Sequence, residues 1–242
     1  AEKILDKPAV INGEVRGLTI LVDFPDLDFE TDVPDPADQQ AWIRDVDDFL
    51  NLAGYTGHGN NGSVLDYFED VSGNNLTYNN HLTGRFYEST AARAALDAGS
   101  ANWDDVLPDI LQQMDAEGFD FSPFDANADG LIDAINIYYW GPIGLDELWP
   151  HYSDMTPVDL DGLTAEHYTV CALRNYPELR TFCHETGHVL GQWPDLYSVA
   201  IPQDGYGLGD YCLMAYGGSG DLDPVHPSAY PKKLAGWMVP IV

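Results

Sequence analysis

The sequence is short of cations. Ten lysines and arginines stand against 40 aspartates and glutamates, a formal net charge of −30 over 242 residues. So acidic a chain has no basic surface with which to neutralise phosphates, which argues against nucleic acid or an anionic bilayer as a partner. The excess is mostly aspartate, 30 against 10 glutamates, with only four lysines; this suits a chain bathed in salt or divalent cations that screen self-repulsion. Long apolar runs are also missing. The best, Leu18 to Val22 and Ala134 to Trp140, fall well short of the ~18 residues of a membrane helix, so no membrane span is expected. Cysteine is scarce: Cys171, Cys183 and Cys212 allow one disulfide and one spare thiol, and none has the paired spacing of a structural zinc site. The first residues show no basic start followed by an apolar core, so any secretory signal or propeptide is expected outside this numbering.

What is present reads as one globular domain, 45% hydrophobic and 21% charged. Val15 to Phe24 is a buried strand by its β-branched and aliphatic content, bounded by Gly13 and Pro25. Residues 36–53 start with a proline suited to a first turn and space Trp42, Val46, Phe49 and Leu50 along one helical face. A short helix over 63–71 is capped by Ser63, residues 76–87 form one or two strands, and 103–116 is a helix with Val106, Ile110, Leu111 and Met114 on one face. A loop at 125–133, a strand at 134–140, a long irregular section, a helix from about 178 to 190, and loops closed by a helix near 227–235 follow. This order lacks a regular βαβ rhythm and predicts an α+β fold with a twisted mixed sheet.

The informative stretch runs from Thr181 to Asp195 and contains His184-Glu185-Thr-Gly-His188. Residues four apart share a helix face, so His184 and His188 can present two imidazoles to one zinc ion while Glu185 projects beside it. Zinc with an open position lowers the pKa of a bound water toward ~7, and a neighbouring carboxylate can take that proton and pass it to a leaving amine. A shuffled chain of this composition would show HExxH with a probability of only ~1%. The third ligand must lie downstream, and no glutamate occurs after Glu185, which rules out a glutamate from a later helix. The short connection remains: Gly191 in a left-handed cap turns the chain, and Asp195 becomes the third ligand. Asp204, Asp210 and His226 are the alternatives.

Further on, Tyr211-Cys-Leu-Met214-Ala-Tyr216-Gly217 looks like the Met-turn that underlies the zinc of metzincins, with Tyr216 a candidate catalytic ring that touches zinc or the transition-state oxyanion. Taken together, the chain resembles the immune inhibitor A family of secreted bacterial zinc metallopeptidases. The resemblance is carried by VRGLTILVDFPD (15–26), GSVLDYFEDVSGNNL (62–76), FDANADGLIDAINIYYWG (124–141), LWPHY (148–152) and the run from HETGH to PVHPSAYPKKLAGW (224–237). It implies a metzincin-like catalytic domain over 1–242, with an upper part of about 1–191 and a lower part of about 192–242. It also implies an extracellular endopeptidase made as a precursor. The departures are a carboxylate where metzincins usually place a histidine, and a third ligand eleven residues after His184 where the usual spacing is ten.

Asp125, Asn127, Asp129 and Asp133, with the Leu131 carbonyl and Gly130 at the sharp turn, have the alternating oxygen pattern of a calcium loop; Asn136 stands where an EF-hand would place its glutamate, and a strand follows in place of a helix. Asp23, Asp26 and Asp28 read as a solvated acidic loop. Cys183 points away from the zinc, and a Cys183–Cys212 bond would tie the zinc helix to the Met-turn, leaving Cys171 free. His226 reads as a structural hydrogen-bonding residue or one that steadies an oxyanion, and His151 as structural. The expectation is a monomeric, secreted zinc endopeptidase acting on protein or peptide substrates, with Glu185 as general base and then acid. Its rivals are a calcium-stabilised adhesin on a peptidase fold and a zinc hydrolase of another bond.

Overall fold

The computed structural model describes residues 11–173, 176–197, 207–218 and 220–238. Strand β1 (Gly13–Asp23) leads through α1 (Phe29–Asp32) and α2 (Pro36–Asn51) to α3 (Val64–Ser72) and β2 (Leu76–Glu88). Next come α4 (Arg93–Asp97), α5 (Trp103–Ala116), β3 (Ile135–Trp140), β4 (His151–Leu160), β5 (Leu163–Leu173), α6 (Leu179–Gly191) and α7 (Ala229–Leu234). Several helices begin where side-chain caps dictate. Asp35 accepts from the Ala37 N–H ahead of Pro36, and Ser63 and Asp66 form a reciprocal capping box, with Gly73 ending α3 in the left-handed region.

The five strands form one mixed sheet in the order β2-β1-β3-β5-β4. All neighbours are parallel except β4 and β5, which are antiparallel. Alternation sends Leu18, Ile20 and Val22 of β1 to one face, with Val106, Ile110, Leu111 and Met114 of α5. Val15 and Leu21 face the other way, with the buried sides of α2, α3 and α6. The architecture is therefore α+β, helices covering both faces of a mixed sheet. The α6 face carries a buried polar row: Thr19 donates to Asn80, Asn136 to Tyr78, and Thr169 to Asn136. The first and last of these join neighbouring strands and the second reaches from β3 across β1 to β2; all five side chains are buried, and Asn80 Nδ2 has no partner among the described residues.

Two expectations are corrected here. The section after residue 140, read as irregular, contains the β4–β5 hairpin. Its turn is Asp161-Gly162, both at positive φ (53° and 84°), the geometry of a tight hairpin turn. The Cys183–Cys212 disulfide is not formed: all three thiols are free and buried. Cys183 and Cys212 sit in the apolar cluster around α6, where they act as small hydrophobes, and the Cys212 sulfur accepts from the Ser228 N–H at 3.2 Å.

Candidate metal centre

The position of α6 follows from its two faces. Leu179, Phe182, Cys183 and Leu190 are buried, and the Phe182 ring meets Phe49 and Tyr138 at 5.9 and 5.4 Å. The first turn has no side chain of its own to cap it; instead the Leu179 N–H donates to Asn60 Oδ1 (3.2 Å) and the Arg180 N–H to the Asp221 carbonyl (2.8 Å). The Arg180 guanidinium bonds the Asp221 carboxylate and the Tyr216 carbonyl. With the apolar face fixed inward, His184 and His188 emerge together on the other side, their rings 4.9 Å apart.

Each imidazole is oriented by a backbone carbonyl: His184 Nδ1 by Leu213 at 2.9 Å, and His188 Nδ1 by Trp193 at 2.6 Å. Nδ1 must carry the proton to make these bonds, which leaves a lone pair on each Nε2. The two Nε2 atoms lie 3.2 Å apart, and Asp195 Oδ1 is 3.1 Å from one and 3.3 Å from the other. Three ligand atoms held ~2.0–2.1 Å from one zinc at tetrahedral angles are themselves ~3.3 Å apart. The residues present therefore fit a zinc ion. Among the described residues this is the one group of three His, Cys, Asp or Glu whose ligand atoms come within 4.8 Å of one another.

The electrostatics follow from burial and proximity. Burial alone would raise the Asp195 carboxyl, but the two histidines hold it well below the usual carboxylate range. Burial works to lower His184, and the Asp195 bond, Glu185 and the Leu213 carbonyl outweigh it, so its pKa is raised. Glu185, 6% exposed, is pushed up by burial against the downward pull of the two histidines.

The sharp turn after His188 is not made by Gly191. Gly191 ends α6, and Gln192 is the left-handed residue (φ 49°, ψ 34°). Asp195 thus lies three residues after the turn residue, the same interval as between glycine and third ligand in the metzincin pattern, and the additional residue is absorbed by the helix. Met214 is fully buried beneath the helix: a Cβ built on Gly187 would lie 3.0 Å from its sulfur. Its carbonyl accepts from the Leu196 N–H at 2.6 Å, joining the Met214 turn to the segment that bears Asp195.

Other expected residues fare differently. The Tyr216 ring stacks on Tyr197 at 6.2 Å, and Tyr197 in turn lies 6.2 Å from the His184 ring, so Tyr216 reaches the site through a second tyrosine. His226 is not at the site: it bonds Asp70 (2.7 Å) and Lys232 (2.9 Å), which supports its structural reading over an oxyanion or ligand role. Asp210 is exposed and outside the cluster, and Asp204 lies outside the described residues. His151 bonds the Trp149 carbonyl at 2.6 Å, a local contact. Asp26 accepts from the Arg93 and Ala94 N–H groups and Asp28 caps α1, while Asp23 is buried.

In the 125–133 loop the acidic side chains turn onto loop amides. Asp125 accepts from the Asp129 and Gly130 N–H groups, Asn127 from Asp129, Asp129 from Leu131, and Asp133 from Ala126, at 2.7 to 3.1 Å. Burial, helped by Asp125 and Asp129, pushes Asp133 up to about 6. The three carboxylates do not gather within 4.8 Å as the His184 group does.

Asn60 at the start of α6, Tyr152 with its ring 6.1 Å from His188, and Tyr197 escape a sequence reading because their contacts are remote in the chain; Trp193 escapes it because its contacts with Gly187, His188 and Gly191 depend on how the chain leaves the helix. No protein-family model matches the chain, and no curated protein matches it.

Proposed function

We propose that this chain is a secreted, zinc-dependent endopeptidase of metzincin-like fold that hydrolyses peptide bonds in protein substrates. The observation that carries the reading is the triangle of His184 Nε2, His188 Nε2 and Asp195 Oδ1 with edges of 3.1 to 3.3 Å, set beside the buried carboxyl of Glu185. His184, His188 and Asp195 would hold the metal. Bound there, zinc supplies Lewis acidity that polarises a peptide carbonyl and acidifies water. Glu185 accepts a proton from the attacking water and delivers it to the departing amine nitrogen, and its raised affinity for a proton suits both transfers. The Leu213 and Trp193 carbonyls keep the two imidazoles in the ligating tautomer. Support for the metzincin-like fold comes from the left-handed turn after α6 and the buried Met214 under the helix; the resemblance to the immune inhibitor A family supports secretion and synthesis as a precursor.

The test is cleavage of casein by the purified chain beside its Glu185→Ala variant, with zinc content measured in both. Cleavage by the parent alone, at equal zinc, is the expected result; cleavage by both overturns the role of Glu185. Zinc bound by both without cleavage by either would favour the binding-module reading. Calcium at the 125–133 loop is a separate part of the proposal: calcium added to zinc-loaded protein raises its melting temperature, since an ion that binds only the folded state stabilises it. An unchanged melting temperature removes that part alone.

A further inference from the structure

Two glycines lie on one face of α6, Gly187 and Gly191, and neither has a positive φ. Glycine inside a helix is unfavourable when its conformation is ordinary, so their backbone angles give no reason for them. Space does. A Cβ on Gly191 would lie 2.4 Å from the Trp193 Nε1 and 2.5 Å from its Cε2, and one on Gly187 2.7 Å from Trp193 Cε3. The indole lies flat along the last turn of the helix that the chain has just left, 2% exposed, with its outer side closed by the Trp237 ring at 5.4 Å. Among the described residues its Nε1 finds no acceptor.

We infer that Trp193 is the positioning residue of the metal centre, an inference that rests on the zinc reading above. Seated over Gly187 and Gly191, the indole fixes where the backbone goes after the left-handed Gln192. The Trp193 carbonyl is thereby brought 2.6 Å from His188 Nδ1. Two residues later the same course delivers Asp195 Oδ1 to both Nε2 atoms. One ring thus orients the second ligand through the backbone and sets the third through the chain path. Outer-shell partners of this kind change metal affinity by ~10–100-fold.

The experiment measures zinc affinity of the full chain by chelator competition, with the cobalt(II) visible spectrum as a readout of coordination. Trp193→Ala should weaken zinc by at least ~10-fold and alter the cobalt spectrum. Gly191→Ala should do the same by displacing the indole, and adding Trp193→Phe, whose smaller ring leaves room for the methyl group, should restore much of the loss. This pair serves if Trp193→Ala alone fails to fold. Wild-type affinity in a folded Gly191→Ala variant, or no restoration by Trp193→Phe, overturns the inference while leaving the zinc site standing. A wild-type chain that binds no zinc overturns the zinc reading and this inference with it.

Discussion

Asp195 sits beside two imidazoles whose hydrogen bonds and positive charge, when protonated, hold its carboxyl low; in the zinc reading it would be the one charged ligand beside two neutral nitrogens. Asp195→Asn keeps the shape and removes the charge. It should lower zinc affinity by at least ~100-fold, more than an outer-shell change, as read by chelator competition; unchanged affinity would move the third ligand elsewhere. Gly187→Ala acts by crowding, since its Cβ would meet the Trp193 ring at 2.7 Å and the Met214 sulfur at 3.0 Å. It should cost ~1–3 kcal/mol in urea unfolding, the usual range for overpacking. At this scale the sequence was legible where chemistry is local. Four-residue spacing puts His184 and His188 on one face whatever surrounds them, and the missing glutamate after Glu185 leaves Asp195 as a natural donor. Tyr152 and Asn60 were not legible, because what they do depends on groups that only folding brings near, and Trp193 was not, because its role depends on the path of the chain after the helix.

The long helices and strands β1, β2 and β3 were readable; the β4–β5 hairpin and the short helices α1 and α4 were not. Residues 103–116 carry a clean apolar stripe, and α5 occupies those bounds with Asn102 as its N-cap. By contrast β4 has an uneven burial pattern in which only Met155, Val158 and Leu160 are buried, a proline at 157 and an irregular register between Asp154 and Val158, so neither alternation nor hydrophobicity marks it. The available signal was the Asp161-Gly162 pair, a strong two-residue hairpin turn. The left-handed turn after α6 falls one residue past the obvious glycine, and Gly191 is needed instead because a Cβ there would meet the Trp193 ring at 2.4 Å. The hairpin gives a clean element-scale test. A Cβ on Gly162 meets nothing within 4 Å, and its φ is +84°, so Gly162→Ala carries only the conformational penalty. Urea unfolding should show a loss of ~1–2 kcal/mol; no loss would mean that the turn has another shape.

For the whole molecule the dominant fact is a net charge of −30, which opposes compaction through self-repulsion that salt screens. The urea midpoint should therefore rise between ~0.05 and ~0.5 M sodium chloride. Acidification acts in the same direction at first, and one residue gives it a local component. Asp23, at the end of β1, is pushed up to about 6, mainly by burial and further by Asp28 and Glu88, although the Phe29 N–H works against the rise. Folded protein then binds this proton more tightly than the unfolded chain does, so the associated stability is complete below about pH 4 and is lost as pH rises through about 6. Asp23→Asn keeps an acceptor for the Phe29 N–H, 3.2 Å away, and carries no charge to desolvate. It should match the parent near pH 4 and exceed it by ~1–2 kcal/mol at pH 7, while the salt response, which belongs to the remaining charges, persists. A variant less stable than the parent at pH 7 by the same margin as at pH 4 would show that the Asp23 carboxyl is not held in its protonated form by the fold.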